Sequence, residues 1–339
     1  GNKSGFRPDY ATVTYCRILK KLFPKTPVII GGVEASLRRL THYDYWTDSL
    51  KPGILVDSGA DLLVYGMGEK PIRALAKLIA SGKEIQSITD IQQTCILSDN
   101  QPDSKEGIIL HSYEICLKDK ISFAKNFVIE ETESNSFAPR KIFQKTGNKW
   151  LVVNPPFKPM TTEEIDASFD LPYTRLPHPR YNDRGPIPAF EMIKNSVNIH
   201  RGCFGGCSFC TISAHQGKFV SSRSEKSILR EVELISKQEN FKGHITDLGG
   251  PSANMYMMQG KNKQVCQKCY KNSCIYPDIC PNLNLDHKPL IDLYKKVSNL
   301  NGVNKITIGS GIRFDMFMSA NKKLDQSNHL SEYAALLIR

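Results

Sequence analysis

No run of this 339-residue chain approaches the roughly 18 consecutive apolar residues that a membrane-spanning helix needs. Its start shows no basic segment leading into a short apolar core, so no secretory leader is read there. An initiator Met is missing as well. The chain begins at Gly1 and ends on Ile338-Arg339 in a helical pattern, which reads as a piece of something longer. Ten cysteines in a chain without a leader argue for metal binding rather than disulfides, and a cytoplasmic location is expected. No basic run with interleaved aromatics lies near those cysteines. The net charge of +11 permits an RNA partner, although a solvated basic surface explains it as well.

What is present in quantity is thiol, and it is confined to one half. Seven of the ten cysteines fall between Cys203 and Cys280. The first three follow a short alternating run, Val197 and Ile199, that reads as a buried strand. They are spaced Cys203-x3-Cys207-x2-Cys210, and Gly202, Gly205 and Gly206 let the loop curl tightly. Three sulfurs are one short of a closed structural zinc site. They suit either zinc with a distant fourth ligand or an iron–sulfur cube with one iron left open.

The first half predicts a helix over 9–22, with Tyr15, Ile18, Leu19 and Leu22 as its apolar stripe. Strands follow at 27–30 and 60–65, each closed by glycines, then a helix at 72–80 opened by Pro71. That order predicts an α/β unit with a parallel sheet over residues 1–150. The polar stretch 98–145 reads as an insertion with one helix, and Cys95 and Cys116 as small buried hydrophobes. A strand at 150–153 then runs into a linker, 151–188, that carries eight prolines between Pro155 and Pro188. One short helix is expected there behind Thr161, and His178 is read as structural.

Residues 189–339 alternate differently. After the cysteine loop comes a helix through 237, opened by a capping box read at Ser222 and Glu225. A strand at 244–248 ends in Gly249-Gly250-Pro251, a helix covers 289–300, and a strand at 303–308 ends in Gly309-Ser310-Gly311. Strand, loop and helix in this repeat predict the first half of a (β/α) barrel, with its chemistry at the carboxyl ends of the strands.

The motifs go further. Cys203-x3-Cys207-x2-Cys210 with Phe209 before the last cysteine resembles the signature of radical S-adenosylmethionine (SAM) enzymes. The text around Ile29–Arg39, His42 to Trp46, Val197 to Cys207, Asp247 to Tyr256 and Tyr276 to Cys280 resembles the YgiQ family of radical SAM proteins. The resemblance implies a [4Fe-4S] cluster on Cys203, Cys207 and Cys210, with SAM on the fourth iron. It implies reductive cleavage of SAM to a 5′-deoxyadenosyl radical that abstracts hydrogen from a substrate the motifs do not name. It places Phe209 beside the adenine and Gly249 and Gly250 at the methionyl amino group. Ser310 and Arg313 become candidates for the ribose and carboxylate. A reductant such as flavodoxin or ferredoxin is implied as partner. Pro251 stands where the wider superfamily often has an acidic residue.

By the same resemblance the first domain is Rossmann-like, of the type that binds cobalamin. It has no D-x-H-x-x-G motif, His42 lies in another context, and cobalamin is not expected. Four further cysteines, Cys266, Cys269, Cys274 and Cys280, predict a second metal site, iron–sulfur or zinc, with His287 as a spare ligand. The alternative from another class is a zinc-stabilised nucleic-acid-binding module without redox chemistry.

Overall fold

Short apolar runs ended by glycine become buried strands, because the strand buries its side chains and glycine lets the backbone turn away. The computed structural model describes Gly5 and residues 8–317 and 328–338. It divides into two units. The first comprises Gly1–Lys158 with Phe209–Gly217 and Gln267–Asn272, the second Pro159–Ser208, Lys218–Cys266 and Ser273–Arg339. Among the described residues no helix is long and apolar enough to cross a membrane.

The first unit opens with α1 (Ala11–Leu22), β1 (Ile29–Ile30), α2 (Gly32–Leu37), the hairpin β2 (His42–Asp44) and β3 (Ser49–Lys51), and α3 (Ile54–Ser58). Next come β4 (Leu62–Val64), α4 (Glu69–Ala80), β5 (Thr94–Ser98) and β6 (Gly107–Ile109). It continues with α5 (Tyr113–Lys118), α6 (Lys120–Ser134), β7 (Lys141–Thr146) and β8 (Lys149–Val153). Six strands form one sheet in the order β1-β4-β5-β8-β7-β6. The β1/β4 and β6/β7 pairs are parallel, whereas β4/β5, β5/β8 and β7/β8 are antiparallel. The sheet is therefore mixed, not uniformly parallel as the element order suggests.

The stretch 98–145 is also more than an insertion with one helix. It supplies β6, most of β7 and two helices to this unit. Its strand is disguised by polar residues that are satisfied inside. Gln144 is buried, its Oε1 accepting from the Thr41 N–H at 2.8 Å and its Nε2 donating to the His111 carbonyl at 3.1 Å.

α1 forms as predicted but turns another face inward. Tyr15, Ile18, Leu19 and Leu22 stay about half exposed while Cys16 is buried. Polar anchors explain the rotation: Thr12 bonds Glu34, the Arg17 guanidinium donates to the Asp57 carbonyl, and Lys20 pairs with Asp61 at 2.7 Å. Cys95 and Cys116 are buried, as read, and burial pushes the Cys95 thiol up to about 12.

The second unit begins in the proline-rich stretch. α7 (Thr162–Phe169) starts with a complete capping box between Thr161 and Glu164. The belt beyond it is tied down by charge. Asp166 accepts the Ser224 N–H, Asp170 accepts the Ser227 hydroxyl, and Arg175 bonds Glu231 and the carbonyls of Lys194 and Ser196. His178 is structural: its Nδ1 accepts the Arg180 N–H.

After α8 (Pro188–Ile193) come β9 (Ser196–Asn198) and β10 (His200–Arg201). The segment that returns to the first unit carries α9 (Ile212–Gln216). β11 (Ser221–Ser222), α10 (Glu225–Ser236), β12 (His244–Ile245), β13 (Asp247–Gly249), α11 (Lys263–Gln267), α12 (Lys288–Ser298) and β14 (Lys305–Ile306) complete the order needed here. β13 pairs with β9 and β12 with β14, both parallel, so residues 244–249 lie between the first and third strands. Val197, Ile228, Val232, Ile245, Leu248 and Leu293 meet in the core beneath them.

The capping box read at Ser222 is displaced by two residues. Ser224 is the cap, its side chain accepting the Ser227 N–H. Ser222 belongs to β11, and its hydroxyl accepts the Met257 N–H at 2.8 Å.

Candidate active site

The loop that follows β10 is shaped by what glycine omits. Gly202 has φ +87°, and a side chain there would strike the Phe219 carbonyl oxygen at 2.2 Å. Gly206 also takes positive φ. Between them Gly205 lies beneath two thiols. A Cβ at that position would sit 3.3 Å from the Cys203 sulfur, 3.6 Å from the Cys207 sulfur and 3.8 Å from Nη1 of Arg313. The same Nη1 donates to the Cys207 sulfur at 3.1 Å, and the far side of the guanidinium pairs with Asp315 at 2.5 Å. Asp315 and then Cys207 hold the Arg313 proton more firmly than usual. Two of the three loop cysteines and a fixed cation thus share one small space, an arrangement suited to anionic sulfur.

Arg313 is itself locked. Its N–H donates to Asn254 Oδ1 at 2.8 Å, and its carbonyl accepts from Asn254 Nδ2 at 3.0 Å. Asn254 is fully buried. It carries the loop after β14 on the loop after β13, and nothing in its sequence context advertised that task.

Cys210 and Phe209 fall in the segment belonging to the first unit, and Phe209 is 88% exposed. That segment is seated there by α9, where His215 Nδ1 lies 2.9 Å from the Ser36 hydroxyl, which also accepts the Gly66 N–H. Among the described residues, no three His, Cys, Asp or Glu side chains gather closely enough to hold a metal ion. Of the predicted trio, the second unit brings Cys203 and Cys207 together by itself.

The two glycines at the end of β13 are each required by a neighbour. A Cβ on Gly249 would lie 2.6 Å from the Ser310 hydroxyl oxygen and 3.0 Å from Asp247 Oδ1. Ser310 in turn donates to Asp247 Oδ2 at 2.6 Å, and the Gly309 N–H donates to Asp247 Oδ1 at 2.8 Å. Asp247 is thus the clasp between the two glycine loops. Sequence reasoning missed it, because an acidic residue inside a strand carries no sign of its partner.

Behind Gly250 stands His200. A Cβ on Gly250 would fall 2.5 to 2.9 Å from three atoms of the imidazole, so the ring fills the volume of the absent side chain. His200 is fully buried, and neither ring nitrogen has a hydrogen-bond partner. Burial alone pushes its pKa down to about 3, so the ring is neutral. An unpaired buried polar atom costs about 1–3 kcal/mol.

The second group of cysteines is not assembled as one set. Cys274 and Cys280 pack, with Cys203, against a small core of Phe204, Met255, Met258, Leu283 and Met316. The Cys274 N–H donates to the Phe204 carbonyl and the Ser273 hydroxyl to that of Gly205, which straps residues 273–280 to the first cysteine loop. The Cys266 sulfur accepts from Asn282, and Cys269 falls in a first-unit segment. His287 is not a spare ligand. Its Nδ1 donates to the Leu285 carbonyl, its Nε2 accepts from Asn254, and its ring packs on Tyr333. Burial holds it neutral, with its pKa lowered to about 4.

Comparison with known proteins places the chain in a family. A model of the radical SAM N-terminal family matches residues 1–196. A UPF0313 protein of Porphyromonas gingivalis is 54% identical over 99% of this chain and 53% of its own length. The UPF0313 protein YgiQ of Escherichia coli is 39% identical over 98% of this chain and 53% of its own. A UPF0313 protein of Methanocella arvoryzae is 43% identical over 96% of this chain and 54% of its own. The chain spans about half the length of these relatives.

Among solved structures, TsrM from Kitasatospora setae aligns with a TM-score of 0.33 and 16% identity, over 68% of this chain and 32% of that one. TsrM is a radical S-adenosylmethionine methyltransferase, solved with cobalamin and a [4Fe-4S] cluster bound. The family model defines the class as radical SAM. The chain belongs to the YgiQ (UPF0313) family of radical SAM proteins.

Proposed function

We propose that this chain is the cluster-bearing part of a radical SAM enzyme. Cys203, Cys207 and Cys210 would ligate three irons of a [4Fe-4S] cluster, and SAM would occupy the fourth. The observation that carries this is the Cys203 and Cys207 pair above Gly205, with the Arg313 guanidinium bonded to the Cys207 sulfur. Thiols beside a fixed cation and a bare backbone suit a thiolate-ligated, negatively charged cluster. Such a cluster, when bound, supplies one electron to the sulfonium of SAM, whose cleavage yields a 5′-deoxyadenosyl radical for hydrogen abstraction.

The protein's own contribution is position. Asp247 clasps the Gly309–Ser310 backbone, and Asn254 fixes Arg313. Gly249 and Gly250, without side chains at the end of β13, would let the methionyl end of SAM approach the main chain. In this reading the second unit opens a partial (β/α) barrel, supported by parallel strands at 196–198, 244–249 and 305–306 with α10 and α12 between them. The first unit would be a Rossmann-like domain. A low-potential protein such as flavodoxin or ferredoxin would supply the electron. Cys266, Cys269, Cys274 and Cys280 would supply a second metal site, iron–sulfur or zinc.

Anaerobic reconstitution with iron and sulfide tests the reading. The protein should turn brown, give a cube EPR signal on reduction, and change that signal when SAM is added. Cys203→Ala should lose the SAM-responsive signal. A colourless, zinc-loaded protein that ignores SAM would overturn the proposal.

A further inference from the structure

His200 sits where the reading above gives it nothing to do. Its imidazole is fully enclosed, both ring nitrogens lack partners, and Gly250 is pressed against the ring face. An apolar ring of the same shape would fill this volume without leaving polar atoms unpaired. The backbone on either side of the ring is paired. Ile199 donates its N–H to the Gly249 carbonyl, and His200 pairs with Ser222 across β10 and β11. The orphaned nitrogens are therefore local to the junction of the cysteine loop, three residues downstream, and the loop at Gly249 and Gly250. Both glycines can change backbone angles cheaply.

A neutral imidazole offers one N–H donor and one lone-pair acceptor. An amino-acid-type ligand carries a carboxylate that accepts and an ammonium that donates, so it can satisfy either nitrogen. Resting on the radical SAM reading, we propose that His200 is a positioning residue for the methionyl end of SAM. Ligand entry displaces the Gly249–Gly250 backbone from the ring and gives the imidazole its missing hydrogen bond.

The test uses the whole chain, reconstituted anaerobically, with His200→Phe and His200→Gln beside the parent. H200F should take up the same iron and melt at or above the parent in the metal-free state. It should bind SAM at least tenfold more weakly by equilibrium dialysis, and H200Q should recover part of that loss. H200F binding SAM within twofold of the parent overturns the role of His200. Should H200F not fold, the parent labelled with 15N-histidine decides. The ring-nitrogen signals that H200Q lacks must move when SAM is added, and signals that stay in place overturn the proposal. A parent that takes up no iron, or binds no SAM, overturns the radical SAM reading itself, an outcome visible before any variant is compared.

Discussion

At the scale of single residues, the site is defined as much by missing side chains as by present ones. Gly249 and Gly250 look interchangeable in the sequence, yet Ser310 with Asp247 excludes a side chain at one and His200 at the other. Gly249→Ala should therefore cost about 1–3 kcal/mol in chemical denaturation, the usual range for overpacking. Combining it with Ser310→Gly should return part of that loss, because the clashing atoms belong to Ser310. Equal losses in the single and double variants would show that the crowding lies elsewhere. The nearness of Cys203 and Cys207 was legible, because three residues of glycine-rich loop separate them and both sulfurs lie beside Gly205. Asp247, Asn254 and His200 were not. Their roles depend on partners about 60 residues away, as in the Asn254–Arg313 and Asp247–Ser310 pairs, or 50 away, as between His200 and Gly250.

Elements show a similar division. Where an element is set by its own neighbours, the reading held. α7 starts behind Thr161 because the Thr161 hydroxyl accepts the Glu164 N–H while Glu164 reaches back to the Thr161 N–H. Thr161→Ala should destabilise the second unit by about 1 kcal/mol, measurable as a shift in urea midpoint. No shift would mean that the belt's ion pairs to α10 hold the helix without its cap. Where distant contacts decide, the reading slipped. α1 has the right length but faces away from its apolar stripe, because Thr12, Arg17 and Lys20 are claimed by Glu34, Asp57 and Asp61. β7 was hidden because Gln144 is buried with both ends of its amide satisfied. The cap of α10 moved from Ser222 to Ser224 because β11 and Met257 had use for Ser222.

At the scale of the molecule, both units carry histidines that desolvation keeps neutral, and this makes stability depend on acid. His42 in the first unit and His287 in the second are each held down to about 4, mainly by burial. The unfolded chain protonates them near pH 6.5, so between 6.5 and 4 only the unfolded state gains protons. Stability should fall on acidification through that window by about 1 kcal/mol per pH unit for each such histidine, and the share of these two should flatten below about 4. Melting the metal-free protein from pH 7 to pH 4 checks the trend. His287→Phe, whatever its effect at pH 7, should show a shallower decline than the parent. An identical slope would mean that His287 is not kept neutral by the fold.

The division of the chain also bears on how it can be made. Six alternating segments, Gly1–Lys158, Pro159–Ser208, Phe209–Gly217, Lys218–Cys266, Gln267–Asn272 and Ser273–Arg339, mean that the backbone passes from one unit to the other five times. A ribosome that has released residue 158 has delivered most of the first unit but not the pieces it receives from 209–217 and 267–272. Its Ser36 hydroxyl still waits for His215, and its Glu131 for Asn272. Completion of the unit synthesised first is thus deferred until the cysteine loop and much of the second unit have emerged. The order of synthesis and the order of completion are interleaved, and no single cut would yield two finished halves.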